Sequence, residues 1–497
     1  MYFASGGRQI EHCDGDLARS RRHDSMSLTG LSKSDRVFLL LWVGFAVFLA
    51  YFCHLLLAAM PDGFRAEQYY HDVAVNLLHH GVHSENREPP IAPSHLRVPL
   101  YPAVLAAAYA MLGERPATGV MINAALLAVT VGLAYLLGRR WGAASGWLAA
   151  LAVALDPIQW VTSASNASDA LFVTLVAAAL VAAARIVDGD RRLGMIATCS
   201  ALTALAALTR AHGIYLWLPV MAALVVAAWH YETKSRLAAM VGVFLAVQAL
   251  LVGGWLLRNT VVMKDPRLVG MTSSHFITFM APEIMARNEG ISIAAARNKL
   301  VAELQATDAW KRAADAIEIE RLRRDFALDY IRKHPDTVIV NTLRNIPDLF
   351  LSHAWEGTEV FAGPARLKAT LDVSNRFSTA TFETAGRARG LEARWAMVKE
   401  TIARGMLSTL LYGIFVKAFN AGIVLAGIAG GLLLMTHATG SGRWNGVLLF
   451  VFCAMMTAIA ALTFQGRFRM PIMPAAGALA GYALTWAWMR WRASRQA

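Results

Sequence analysis

The chain has 497 residues, of which 56% are hydrophobic and only 16% are charged, and its formal net charge is +13. Soluble globular chains carry about 25% charged residues, so this composition indicates a polytopic membrane protein. The basic residues fall in short clusters between apolar segments, which is the pattern that sets membrane topology and which argues against nucleic acid as a partner. The four cysteines show neither a disulfide framework nor a zinc-binding spacing.

Ten apolar segments approach the roughly 20 residues that a helix needs to cross a bilayer. They are 37–60, 119–138, 142–157, 169–186, 193–209, 213–229, 237–257, 411–435, 446–464 and 471–489. The apolar segment 99–113 is shorter, and we place it along the membrane surface because a crossing there would move every later basic loop to the other side. We therefore predict an all-α protein with about ten transmembrane helices and cytoplasmic termini, whose first span is an uncleaved signal anchor.

This topology divides the chain into five parts. They are a cytoplasmic tail (1–36), a transmembrane catalytic module (37–257) that includes a first outer loop (61–118), an extracytoplasmic helical domain (258–405), C-terminal transmembrane helices (406–490) and a cytoplasmic tail (491–497). In the outer domain, Ile319, Leu322, Phe326 and Tyr330 recur at helical spacing before a stop at Pro335. Most of this domain has the pattern expected of a structural cap that carries no catalytic residues.

Arginines at the outer ends of predicted spans are the first candidate site residues. Arg210 and Arg258 end spans, and Arg467 and Arg469 lie between the last two, although short outer loops are normally poor in arginine. A charge at membrane depth usually marks a function or a paired partner. A guanidinium group suits planar anionic oxygens, so the set predicts a phosphate site. The alternative is that each side chain reaches out to lipid headgroups.

Acidic residues at the same face are the second set of candidates. We predict that Glu67 does the chemistry, because it lies three residues before Tyr70 on an amphipathic segment, while Asp62 and Asp72 compete for the role. Asp169 opens the fourth span at the outer face, and its alternative is a helix-capping role. The several histidines of the first loop lack a specific metal-ligand spacing.

The order of the motifs resembles the GT-C superfamily of polytopic glycosyltransferases, and its protein-mannosyltransferase and lipid A aminoarabinose-transferase branch in particular. The motifs are Glu67-Gln-Tyr-Tyr, Pro99-Leu-Tyr-Pro, Gly138-Arg-Arg-Trp-Gly142, Leu155-Asp-Pro157, Asp169-Ala-Leu-Phe, Leu208-Thr-Arg210, Trp255-Leu-Leu-Arg-Asn259, Tyr330-Ile-Arg-Lys-His-Pro335 and Gly466-Arg-Phe-Arg-Met-Pro471. The likeness extends over residues 37–490. Relatives often have Asp-Glu in the first loop, where this chain has Ala66 before Glu67.

The resemblance implies that a monosaccharide passes, with inversion, from a polyprenyl-phosphate donor to an acceptor hydroxyl outside the cytoplasm, at a bacterial-type inner membrane. The acceptor is a glycolipid, a glycan or a protein. Glu67 or Asp62 would be the base and Asp169 would orient the acceptor or Glu67. The arginines Arg210, Arg258, Arg467 and Arg469 would hold the donor phosphate, and the tyrosines Tyr69, Tyr70 and Tyr101 would contact sugar or lipid.

Catalysis by a carboxylate and arginines needs no metal, although some relatives use one, so a divalent cation stays open as a cofactor. Two other functions compete with sugar transfer. A transporter or flippase for a lipid-linked sugar predicts broken helices and ionisable residues near mid-membrane, and related halves. A catalytically degenerate scaffold is the other, because alanine replaces the first aspartate of the family pattern at Ala66.

Overall fold

The computed structural model describes residues 32–59, 68–229, 232–270, 276–313, 316–351, 407–462 and 466–496, together with 395, 399, 402 and 403. Over these residues the chain is helical and contains no β-strand. The predicted all-α membrane fold class is confirmed. Residues 32–44 belong to a separate unit, and all the contacts that build the site lie in the second unit, from Phe45 onward.

In the described part of the chain, ten helices lie before residue 264. They are α1 (Lys33–Ala59), α2 (Gln68–His80), α3 (Leu100–Leu112), α4 (Pro116–Gly138), α5 (Ala143–Ala154), α6 (Pro157–Ser163), α7 (Asp169–Val187), α8 (Leu193–Thr209), α9 (Trp217–Trp229) and α10 (Lys234–Met263). Eight more follow. They are α11 (Ala281–Glu289), α12 (Ile293–Ala306), α13 (Asp308–Arg312), α14 (Ala316–Lys333), α15 (Pro335–Leu351), α16 (Leu407–His437), α17 (Gly440–Ala461) and α18 (Met473–Gln496). Short 3-10 turns occur at Arg139–Trp141, Ala211–Leu216 and Gly466–Arg469.

Seven helices of the described residues are long and apolar enough to cross a membrane, and α5 with α6 makes an eighth if this pair, bent by 54°, counts as one span. Over the described residues, each of the ten predicted spans lies mainly in a helix, but the count of ten is not confirmed. Helix α8 is short for a span, and the apolar part of α18 ends before Arg490. The segment 99–113 forms the short helix α3, and its position along the membrane surface stays a prediction.

Helix α18 lies at the centre of the bundle because small residues let other backbones approach it closely. A Cβ atom added to Gly481 would lie 2.6 Å from the carbonyl oxygen of Ser145 in α5, and one added to Gly430 in α16 would overlap the carbonyl oxygen of Leu479. Close backbone approach at small residues is a common way to hold helices together in a membrane. The packing also fixes the Gly466–Arg469 turn, which directly precedes α18.

Helix ends that the topology puts on the same side meet in the structure. At one end of the bundle, the start of α7 contacts the residues that follow α8 and precede α18, through Asp169. At the other end, Arg140 forms an ion pair with Asp188, and Asn445 donates a 2.8 Å hydrogen bond to the same carboxylate. These contacts support the predicted alternation of the spans.

Residues 276–351 have an apolar core of their own, and α15 connects them to the membrane helices. Met285, Leu300 and Ala327 are buried together, and the predicted 319–330 helix is α14, which stops before Pro335 as expected. In α15, Asn345 donates a 3.1 Å hydrogen bond to the carbonyl oxygen of Ala461 at the end of α17. The domain limits 258–405 stay a prediction, because residues 352–394 lie outside the described part of the chain.

The packing of α16 on α18 gives a test with two substitutions on one helix. Gly430→Ala places a methyl group against the backbone of α18 and should lower the free energy of unfolding by about 1–3 kcal/mol. Gly422→Ala points into open space and should be neutral or stabilise by up to about 1 kcal/mol. Thermal unfolding in detergent measures both, and equal melting temperatures would contradict the helix contact.

Candidate active site

Asp169 is the centre of a charged cluster at one end of the bundle. It occupies the first turn of α7 and is only 4% exposed. Arg210, directly after α8, places Nη1 2.5 Å from Oδ1 of Asp169, and Arg467 places Nη1 3.8 Å from Oδ2. The structure therefore brings together three residues predicted for the site, from three distant parts of the chain. We call Asp169, Arg210 and Arg467 the aspartate cluster.

The two oxygens of Asp169 have different surroundings. Oδ1 is held by Arg210, whereas Oδ2 is buried and accepts no hydrogen bond from any described residue. Buried polar atoms nearly always have a hydrogen-bond partner, and each exception needs an explanation. One oxygen is thus fixed, and the other is able to accept a hydrogen bond from a molecule that enters the cluster.

Aromatic side chains set the spacing of the two guanidinium groups. The guanidinium carbons of Arg210 and Arg467 lie 5.2 Å and 5.8 Å from the ring centre of Phe468, within cation–π distance. The His212 ring packs 5.7 Å from Phe468 and 4.7 Å from Phe172. Phe468 therefore supports both arginines beside Asp169.

Arg469 lies two residues beyond Arg467 but has a different environment. It is 0% exposed and forms a double ion pair with Asp156, with distances of 2.6 Å and 3.1 Å. It also donates a 3.2 Å hydrogen bond to the carbonyl oxygen of Leu349, in the last turn of α15. The guanidinium group therefore links the turn before α18 to α6 and α15.

Arg258 belongs to a separate group of side chains, which we call the loop cluster: His83, Glu85, Ser94, Trp255 and Arg258. Arg258 donates a 2.8 Å hydrogen bond from Nη1 to the carbonyl oxygen of Ser94 and lies 4.8 Å from the Trp255 ring centre. The His83 ring packs 5.2 Å from Trp255, and its Nδ1 is 3.2 Å from the same carbonyl oxygen. Burial, and then the charge of Arg258, lower the pKa of His83 to about 4.

A buried network fixes the first loop against the segment that follows α10. Nε2 of His95 lies 2.8 Å from Asp265, which also binds Arg267, and Gly270 donates a 2.8 Å backbone hydrogen bond to the carbonyl oxygen of His95. Burial alone would raise the pKa of Asp265, but the hydrogen bonds from Arg267 and His95 outweigh it and hold this pKa below its usual range. The network keeps the loop cluster in place.

The predicted tyrosines occupy three different positions. Tyr70 is buried, and its hydroxyl lies 2.9 Å from the Ser168 hydroxyl, next to Asp169. Tyr101 is buried behind it and accepts a 3.0 Å hydrogen bond from Asn123. Tyr69 is 55% exposed. The amphipathic segment predicted around Tyr70 is therefore helix α2, with its apolar face against α3.

Arg97 is a candidate that the sequence reasoning missed. Its guanidinium carbon lies 5.6 Å and 5.3 Å from the ring centres of Tyr69 and Tyr70. The signal was present, because Arg97 is one more arginine in a segment predicted on the outer face. It follows Ser94 by three residues, a stretch that spans at most about 11 Å. Arg97 therefore connects the loop cluster to the surroundings of Asp169.

Of the three acidic residues predicted as the base in the first loop, the structure describes one. Glu67 and Asp62 lie outside the described residues. Asp72 accepts a 2.9 Å hydrogen bond from Arg87, with which it forms an ion pair. Among the side chains that the structure describes, no group of three or more His, Cys, Asp or Glu residues is arranged to hold a metal ion.

The sequence model of the family "Dolichyl-phosphate-mannose-protein mannosyltransferase" matches residues 93–255. This segment is less than half of the chain and contains Asp169, Arg210 and Arg97. The resemblance to GT-C glycosyltransferases predicted from the sequence is thereby confirmed. A search of curated protein sequences finds no significant match.

Several solved structures have a similar course of the chain at low sequence identity. The oligosaccharyltransferase of Archaeoglobus fulgidus in the apo form has a TM-score of 0.47 and 13% identity, covering 92% of this chain and 51% of that one. Its AglB complex with an inhibitory peptide and a dolichol-phosphate has a TM-score of 0.46 and 14% identity, covering 94% and 52%. ArnT from Cupriavidus metallidurans bound to undecaprenyl phosphate has a TM-score of 0.39 and 14% identity, covering 90% and 76%.

This chain thus spans about half the length of the two archaeal structures. Likenesses with TM-scores this low do not carry the activity of those proteins across. The protein is an integral membrane protein with a segment that matches a glycosyltransferase family.

The buried ion pair between Asp156 and Arg469 gives a second test. Asp156→Ala leaves a buried guanidinium group without its carboxylate and should lower the free energy of unfolding by about 3–5 kcal/mol. Asp190→Ala, which removes the partner of the exposed Arg192, should cost less than about 1 kcal/mol. Melting temperatures of the two variants check this. A similar small loss of stability in both variants would contradict the anchoring role of Arg469. A double variant, Asp156→Leu with Arg469→Met, should recover most of the stability because no buried charge is left without a partner.

Proposed function

We propose that this protein transfers a monosaccharide from a polyprenyl-phosphate donor to the hydroxyl group of an acceptor at the extracytoplasmic face of a bacterial-type inner membrane. The observation that carries the proposal is the aspartate cluster, in which two guanidinium groups flank a buried carboxylate at one end of the bundle. The match of residues 93–255 to a mannosyltransferase family supports it. The acceptor class is a glycolipid, a glycan or a protein.

Arg467 and Arg258 bind the donor phosphate in this proposal. Arg467 is 30% exposed, and its Nη1 lies 3.8 Å from Oδ2 of Asp169, so a phosphate group that enters the cluster is able to reach it. Arg258 donates only from Nη1 to described residues, which leaves its other N–H groups for an anion. Arginine binds phosphate through two parallel hydrogen bonds, which adds geometric specificity to the charge.

Arg210 and Arg469 have supporting roles in the same scheme. Arg210 holds Oδ1 of Asp169 at 2.5 Å and so fixes the orientation of the carboxylate. Arg469 forms a buried ion pair with Asp156 and so positions the turn that contains Arg467. Both arginines act on the phosphate through their neighbours, in contrast to the direct contacts that the sequence predicts.

The chemical step needs a base and a stabilised leaving group. Glu67 takes the proton of the acceptor hydroxyl, whose oxygen forms a bond to the anomeric carbon from the face opposite the phosphate. The bond between that carbon and the phosphate oxygen breaks, and its electron pair leaves with polyprenyl phosphate. Arg467 and Arg258 stabilise the charge that grows on this phosphate. Attack from the opposite face inverts the anomeric configuration.

Asp169 orients the acceptor in this mechanism. Its Oδ2 atom is the buried acceptor without a described donor, and a hydroxyl group of the incoming substrate supplies that donor. Tyr70, three residues after Glu67 in the sequence, places its hydroxyl 2.9 Å from that of Ser168, the residue before Asp169. Asp62 is the substitute base if Glu67 is not required.

The role of the base is tested by Glu67→Gln. The amide keeps the size of the side chain but cannot take the proton, so sugar transfer should fall by at least about 100-fold, at the low end of what general-base catalysis contributes. Binding of undecaprenyl phosphate and the melting temperature should stay unchanged. Transfer of radiolabelled sugar from the donor lipid to the membrane fraction measures activity. Full activity of the variant would remove Glu67 from the role and direct the same test to Asp62.

The assignment of the phosphate is tested by Arg467→Ala. Loss of a charge-assisted hydrogen bond of about 1.5–3 kcal/mol should weaken undecaprenyl phosphate binding roughly 10- to 150-fold. Arg443→Ala, in the first turn of α17 and on the side predicted to be cytoplasmic, is the matched control and should change binding less than twofold. If both variants bind the lipid like the wild type, Arg467 is not a phosphate ligand.

A further inference from the structure

The protonation of His83 follows from its contacts. Its Nδ1 atom lies 3.2 Å from the carbonyl oxygen of Ser94, which is an acceptor only, so Nδ1 carries the hydrogen. Nε2 then has a free lone pair in the neutral ring. The pKa of about 4 supports this, because burial and Arg258 oppose a second proton, and His95 adds to the same effect. His83 therefore presents a hydrogen-bond acceptor at neutral pH.

Two buried acceptors of the loop cluster lack hydrogen-bond donors. His83 is 6% exposed, and its Nε2 atom accepts nothing from the described residues; the same holds for Oε1 of Glu85, two residues further on. A buried acceptor without a donor costs about 1–3 kcal/mol. Two such atoms in one loop, beside an arginine, indicate a place where a molecule with donor groups binds.

The charges near these two atoms limit the class of molecule that can bind at the loop cluster. Glu85 is close enough to Arg258 to act on it electrostatically, although the two form no ion pair within 4.0 Å. The phosphodiester group of a phosphate-linked sugar has no hydrogen to give to His83 or Glu85 at neutral pH, and its negative charge places it on the Arg258 side. Neutral hydroxyl groups donate to both a histidine nitrogen and a carboxylate oxygen. The site thus suits a polyol carried next to a phosphate.

We propose that Nε2 of His83 and Oε1 of Glu85 form a subsite that binds two hydroxyl groups of the donor's sugar, next to the phosphate held by Arg258. This subsite rests on the proposed function, since it needs a phosphate-linked sugar as the ligand. It gives the first loop a role in sugar recognition that is separate from the base. The network of His95, Asp265 and Arg267 holds the loop in the required position.

The test compares lipids with and without a sugar on the purified full-length protein. The probes are undecaprenyl phosphate and its mannosyl and glucosyl derivatives, with affinities measured in detergent. His83→Asn keeps an amide N–H that reaches the carbonyl oxygen of Ser94 but has no atom in place of Nε2, and Glu85→Gln replaces the carboxylate. His80→Asn, at an exposed histidine three residues before His83, is the matched control.

Wild-type protein should bind at least one sugar-bearing lipid more tightly than undecaprenyl phosphate. His83→Asn should reduce that advantage by about tenfold, the value of one buried hydrogen bond. Glu85→Gln should reduce it by about fivefold, because its amide oxygen still accepts a hydrogen bond but without the charge. Affinity for the bare lipid should stay within about twofold in both variants. His80→Asn should leave both affinities unchanged. Melting temperatures should match the wild type in all three variants.

Three results would overturn the subsite. They are equal binding of all three lipids by the wild type, equal weakening of all lipids by His83→Asn, and an unchanged sugar advantage in both variants, which would mean that ordered water fills the site. The variant Arg258→Ala distinguishes failure of the sugar subsite from failure of the proposed phosphate site. It should weaken all three lipids alike; if it weakens none, the phosphate assignment of Arg258 fails, whatever His83 does.

Discussion

The pairing of Asp169 with Arg210 and Arg467 is the constraint on which the site depends. A carboxylate and two guanidinium groups at the end of a membrane bundle are costly to desolvate and persist only when they meet. Their meeting fixes the start of α7, the end of α8 and the turn before α18 at one point. Three helix ends from distant parts of the chain therefore form one polar surface beside apolar helices, which a lipid with a charged head requires.

The cost of burying a charge also explains why Arg467 and Arg469 have different environments. Arg469 is enclosed with Asp156 and joins α6, α15 and the turn, whereas Arg467 remains partly exposed beside Asp169. A buried ion pair contributes little net stability when compared with apolar side chains, but it specifies one arrangement of its elements. The turn thus contains one arginine that sets geometry and one that we propose for chemistry. In our proposal the donor phosphate lies between the two clusters, held by Arg467 of the aspartate cluster and Arg258 of the loop cluster. The acceptor lies at the aspartate cluster and the sugar of the donor at the loop cluster.

Sequence patterns sufficed for the helices and for part of the site. Apolar length predicted the ten helical segments, and the rule for basic loops placed Asp169, Arg210 and Arg467 at one face, where the structure has them in contact. Apolar length and the distribution of basic residues are both local features of the sequence, so they can be recognised without knowledge of how the helices pack. The same rule applied to the first loop would have added Arg97.

Pairings across the chain could not be predicted in the same way. Asp156 fits the end of a helix in the sequence, yet it is the partner of Arg469, 313 residues away. Arg258 matches a motif, but only the folded loop reveals that it shares a carbonyl oxygen with His83. Such contacts depend on the register of packed helices, which no local pattern encodes. Glu67 and Asp62 lie outside the described residues, so their place beside Asp169 rests on the sequence alone.

An experimental structure of the protein with bound undecaprenyl phosphate tests the central claim most directly, because it shows where the phosphate lies. The account predicts the phosphorus atom within about 5 Å of the Arg467 guanidinium group, on the side of Asp169 Oδ2. Phosphate density at the opposite helix ends, near Arg140 and Asp188, would contradict it.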